Sequence, residues 1–149
     1  MNEAKTREFR VEDGRSTIDV FIGKSKRPVF TLLYNPADMF ISGYLDNIRK
    51  GFEDTDNDMK RGFIEDLEYA ARLGNILAEN FDAICGEGTA RLIGRYDTSG
   101  EYELFFGIMD EIRAGIEAHH AAVAEKAKKD QMQAVIDSRK EGSSYIAPQ

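Results

Sequence analysis

Four stretches of the sequence carry residue types whose spacing could do chemistry. The first is Ile84-Cys85-Gly86-Glu87-Gly88-Thr89-Ala90-Arg91-Leu92-Ile93-Gly94, a glycine-rich run between two long helical patterns. A phosphate-binding loop needs a strand before the glycines and a Lys-Ser/Thr pair after them, so that backbone N–H groups and an ammonium meet the phosphates. Here Glu87 would set a negative charge among those phosphates, and the lysine is missing. The second stretch is acidic: Asp54, Asp56, Asp58 and Glu65 fall at positions one, three, five and twelve of a calcium loop. Position six, where the turn requires glycine, is Met59, and Arg61 stands at position eight. A helix N-terminus stabilised by acidic residues accounts for the run more simply. The third is Glu117-x-x-His120, half of the ligand set of a di-iron helix bundle. A second copy is required, and the only other histidine is the adjacent His119. The fourth is Cys85, which has no base near it in sequence and small or apolar neighbours, the setting of a filler thiol. With two vicinal histidines on an alanine-rich stretch, no Ser-His-Asp arrangement is supportable either. The residues therefore point away from an enzyme, and they call for no metal and no cofactor.

Composition narrows the class. A chain of 149 residues, 42% hydrophobic and 32% charged, fits one domain with a real core. The net charge of −7 argues against nucleic acid, whose phosphates demand clustered Lys and Arg. One cysteine allows no internal disulfide and suits a reducing compartment. The first residues lack the apolar core of a signal peptide, and no apolar run approaches the roughly 18 residues of a spanning helix, so the expectation is a cytoplasmic protein without membrane contact.

The elements that must position these residues follow from periodicity. Residues 1–16 read as a loose arm, with Phe9 and Val11 available for an edge strand. Ile18, Val20 and Ile22 alternate with Thr17, Asp19 and Phe21, then Gly23 to Pro28 turns the chain into a second strand, Val29 to Tyr34. Asn35-Pro36-Ala37-Asp38 is the start signal of a helix carrying Ile41, Tyr44, Leu45, Ile48 and Phe52, with Gly51 as its cap. The acidic run from Glu53 to Asp58 opens a second helix with the seam Phe63, Leu67, Ala70, Gly74, Leu77, Phe81 and Ile84, in which Ala70 and Gly74 admit a close neighbour. Gly86 and Gly88 then turn the chain, residues 89–93 make one helical turn, and Gly94 closes it, with Ile84, Leu92 and Ile93 plugging the bend. Thr98 and Glu101 form a capping box for a last helix whose face is Phe105, Ile108, Met109, Ile112 and Ile116. Past Ala118 that helix keeps high propensity but only a thin stripe, Val123 and Ala127 with Ala134 and Val135 as its extension, so it should project from the body. Residues 138–149 read as a flexible tail. The fold expected is α+β and mainly α: a hairpin packed on an antiparallel helical bundle with a long C-terminal helix, in one domain over 17–137.

In this order of parts, the connector Ile84 to Gly94 resembles the "Phe-Gly-Glu-Gly-x-x-x-x-Ile-Phe-Gly" segment of the tail assembly chaperones of long-tailed bacteriophages and prophages. The likeness extends in pattern from about Ile18 to Ile116. Cys85 stands where the family has an aromatic residue, and the Ala/Lys-rich extension has no counterpart. What the resemblance implies is a non-enzymatic protein that binds the tape-measure protein and tail components during tail morphogenesis. Homo-oligomers are compatible with it. Ile116, His120, Val123 and Ala127 are then the candidate partner contacts, and Gly86, Gly88 and Gly94 the structural bend. Two rivals remain: a small-molecule-binding or regulatory helical module, and a structural component of the tail or its connector.

Overall fold

The computed structural model describes residues 14–144. Phe9, Val11 and most of the expected N-terminal arm lie outside the described residues. The hairpin consists of β1 (Ser16–Val20) and β2 (Phe30–Tyr34), antiparallel with Ile18 opposite Leu32 and Val20 opposite Phe30. Period-two alternation puts Val20, Phe30, Leu32 and Tyr34 on the buried face. On the other face Thr31 donates a hydrogen bond to Asp19 at 2.7 Å. A two-stranded ribbon cannot stand alone in water, and this one lies on the helices, with the Phe30 ring 5.3 Å from Tyr96.

Four helices follow: α1 (Ile41–Lys60), α2 (Asp66–Cys85), α3 (Thr89–Tyr96) and α4 (Glu103–Ser144). The fold is mainly α, with the hairpin at one end of the described chain and the long helix at the other. One core joins them, from Phe30 and Leu32 through Ile41, Ile48, Phe81 and Ile93 to Ile112.

At both ends of α1, at the start of α2 and at the cap of α4 the helix boundaries differ from the sequence reading, each with a physical cause. Asn35 and Asp38 make two successive turns rather than a cap: the Asn35 carboxamide accepts the Ala37 N–H at 3.0 Å and the Asp38 carboxylate the Phe40 N–H at 2.8 Å. Helix α1 therefore begins at Ile41. It also runs straight through the acidic run, because Glu53 and Asp54 are solvated and Asp56 and Asp58 have partners on the following helix. Its end is at Gly62, whose φ of +73° makes the left-handed step, with Gly62 N–H to Met59 O and Phe63 N–H to Asp58 O closing the terminus. Gly51 is thus not a cap but an interior residue. A Cβ there would come within 2.8 Å of Ile76, so its bareness is what lets α2 approach. The close approach expected of Ala70 and Gly74 is not found: both are exposed, and nothing lies within 4 Å of a Cβ on Gly74. Phe63 and Leu67 point to solvent, and Ile64, Leu73, Leu77, Phe81 and Ile84 take the inner positions. Finally, α4 is capped by Asp97 and Ser99 rather than by Thr98 and Glu101. The Asp97 carboxylate accepts the N–H groups of Leu104 and Phe105, and Ser99 Oγ those of Glu101 and Glu103.

Candidate functional site

The bend after α2 is built as a joint. Gly86 (φ +111°) ends α2 and Gly88 (φ +87°) begins α3, backbone conformations that cost an L side chain strain. Thr89, buried, donates its hydroxyl proton to the Gly86 carbonyl at 2.6 Å, and Asp82 accepts the Ala90 N–H at 3.0 Å. The N–H groups that a phosphate would have claimed are in part committed to the protein itself. Helix α3 is longer than one turn, so Gly94 lies inside it instead of closing it. Ile84 and Ile93 are buried and Leu92 partly so, which plugs the bend from within.

The acidic run is structural. It lies within α1, and two of its carboxylates meet α2: Tyr69 Oη donates to Asp56 at 2.5 Å, and Arg72 pairs with Asp58 at 2.8 Å as well as with Glu68 of its own helix at 3.1 Å. The hydrogen bond to Asp56, with burial adding to it, pushes the Tyr69 phenol up to about 12. The geometry is a ladder between two helices and not a loop around an ion, and among the described residues no group of three His, Cys, Asp or Glu side chains could hold a metal. Cys85 packs beside the core, where burial first and Asp82 second raise its thiol to about 11. A thiol held protonated at neutral pH is a poor nucleophile. His119 and His120, the two histidines of the sequence, sit with ring centroids 6.1 Å apart on α4.

Two surfaces among the described residues stand out as able to bind something. One is a groove of about 700 Å³ between α1, α2 and the start of α4. Its apolar floor is Phe52, Leu73, Phe106 and Met109, and its rim carries Glu53, Asp56 and Glu101. Phe52 is the pivot, meeting Tyr102 and Phe106 edge-on at 5.5 Å each. Tyr102, also in the lining, holds φ at +60°, the left-handed region where a tyrosine is strained. Residues held that way persist only where packing over-determines them, and they concentrate at functional surfaces.

The second surface is the outer part of α4. Ile116, 8% exposed, is the last buried residue of the helix, and every side chain described from His120 onward is exposed. The helix runs on to Ser144, beyond the point where the sequence suggested a flexible tail. That leaves about 40 Å of helix past Ile116 at 1.5 Å per residue. Of the four candidate contacts, Ile116 belongs to the core and is unavailable to a partner, whereas His120, Val123 and Ala127 are exposed on the projecting part. Sequence reasoning reached Val135 but missed the apolar cluster it belongs to: Met132, Val135 and Ile136 are 66%, 49% and 43% exposed. They lie about 150° around the helix from the Val123–Ala127 stripe, at 100° per residue, so a stripe continued from the core does not reach them. The signal that finds them is the spacing of Met132 and Val135 with Ile136, read on its own.

Among the described residues no helix is long and apolar enough to cross a membrane. Compared with protein-family models, curated proteins and solved structures, the chain matches none.

Proposed function

We propose that this protein is a non-enzymatic tail assembly chaperone, which binds the helical tape-measure protein and tail components while a phage tail is built. The observation that carries the reading is the projecting half of α4: a helix that extends far past its own core while exposing Val123, Met132, Val135 and Ile136 has apolar surface available to another protein. The resemblance of the Gly86–Gly94 connector to that family supplies the identity of the partner, and the commitment of the acidic run, the bend and Cys85 to structural contacts is consistent with a role outside catalysis. The test is co-expression with the long helical protein that this reading expects to be encoded beside its gene. Full-length chain should keep that protein soluble and co-purify with it, and a chain ending at Glu125 should do neither while still folding. A tape-measure protein that stays equally insoluble with and without the full chain would overturn the reading.

A small-molecule-binding module is the second reading, favoured by the groove alone, whose volume is in the range of ligand sites. The projecting helix has no role in it, and a ligand of the groove would raise the melting temperature of the full chain and of the chain ending at Glu125 alike.

A further inference from the structure

Charge is distributed unevenly along the chain. Residues 126–140 carry five basic and two acidic side chains, a net +3, so the remainder of the −7 chain carries −10. The basic part is also the apolar part. Lys128 and Arg139 border the same notch as Met132, Val135 and Ile136, which places two cations beside three apolar side chains on one face of the helix. The groove on the body has the opposite character. Its floor is aromatic and aliphatic, its rim carboxylates are Glu53, Asp56 and Glu101, and its two guanidiniums already have partners: Arg49 pairs with Asp46 and Glu53, and Arg113 with Asp110. The lining thus holds three carboxylates and two guanidiniums, and each guanidinium is further offset by a carboxylate beside the groove, Asp46 or Asp110.

We infer that the outer segment of α4 of one copy seats its Met132, Val135 and Ile136 face in the Phe52–Phe106 groove of a second copy. Charge complementarity selects the occupant: an apolar strip edged by cations meets an apolar floor edged by anions. Geometry makes the contact intermolecular. Phe106 and Met109 of the groove are themselves on α4, and Met132 lies about 35 Å further along the same continuous helix, so no copy can reach its own groove without breaking it. Pairing of two arms with each other is disfavoured, because an antiparallel pair centred on Val135 brings the two sets of Lys and Arg together. Reciprocal seating closes a two-fold dimer, and one-way seating extends a chain of copies. This inference needs only this protein and is tested without the tape-measure protein, but it places a second copy on the same Met132–Ile136 face, so the two occupants would compete for it.

The test uses the full chain. Sedimentation at roughly 100 µM should show a dimer or larger species that weakens about tenfold as salt rises from about 0.05 to 0.5 M. Glu53→Lys with Glu101→Lys on the groove side, or Lys128→Glu with Arg139→Glu on the arm side, should each weaken association at least tenfold, and mixing the two variants should restore it. All four positions are exposed, so the fold should survive. Oxidising a mixture of Ala70→Cys, in the groove lining, and Ile136→Cys should link the two chains to each other. A monomer at that concentration overturns the inference, as does a mixture that recovers no association or a cross-link found only between two Ile136→Cys arms.

Discussion

The two halves of α4 share one backbone and differ in almost everything else. From Glu103 to Ile116 the helix presents Phe105, Ile108, Met109, Ile112 and Ile116 to the hairpin, α2 and α3, and all five are buried. From Glu117 outward the alanines and lysines keep the helix going by propensity and local pairs, such as Gln133 donating to Asp137 at 3.0 Å, and no described side chain is buried. The comparison shows that helical continuity and folding energy are separable. The inner half stabilises the fold through apolar burial, while the outer half is an extension whose exposed surface contributes nothing to it and is free to bind.

Substitutions can break that comparison, and the largest effect belongs inside. Ile112, fully buried, should lose about 2–5 kcal/mol of stability on replacement by Ala, whereas Met132→Ala should change it by less than about 0.5 kcal/mol. Urea unfolding of the two variants measures both. Next comes Gly115, at the end of the inner half: a Cβ there would overlap the hydroxyl end of the buried Tyr34 ring, so Gly115→Ala should cost about 1–3 kcal/mol. Gly107, which has nothing within 4 Å of a built Cβ, should gain about 0.5–1 kcal/mol from the same change, the ordinary helix preference of alanine. At the bend, Gly88→Val should destabilise by about 1–2 kcal/mol, because the position keeps a left-handed φ, and an unchanged melting temperature would refute the account of that joint.

The smallest effect is one of pH. Cys85 is raised from an ordinary value of 9.0 to about 11 by burial, so between those values the unfolded chain gives up a thiol proton that the folded chain keeps. The folded state therefore holds its full contribution from this group below pH 9 and loses it as pH rises toward 11. Alkylation of the native protein with iodoacetamide should follow the same shift, remaining slow at pH 8.5 and accelerating only well above pH 9. A rate profile centred near 9 would mean that the thiol is open to water.

The inner half was legible in the sequence and the outer half only in part, for a reason visible in particular residues. Phe105, Ile108, Met109, Ile112 and Ile116 recur at helical spacing because they meet one core, and Leu77, Phe81 and Ile84 do so for the same reason. The hairpin register is legible because Val20, Phe30, Leu32 and Tyr34 face that core too. Where no core imposes a face, the pattern misleads. Phe63 and Leu67 extend the α2 seam on paper, but Gly62 places the helix start beyond Phe63, and both residues end at the surface. The acidic run reads as a boundary, yet it lies within the last two turns of α1, where Glu53 and Asp54 stay in solvent and Asp56 and Asp58 find Tyr69 and Arg72 across the helix pair. The groove could not be read at all, since Phe52 and Phe106 come from helices far apart in sequence and meet only through packing.

Hydrogen exchange along α4, on dilute full-length protein, tests the division of the helix most directly. Amides from Phe105 to Ile116 should be protected to the level of global unfolding, and amides from Ala121 to Lys140 should exchange within seconds to minutes, with protection dropping over the one or two turns after Ile116. Equal protection along both halves at every concentration would show that the outer half is part of the folded core, and the account of a helix divided between folding and binding would be wrong.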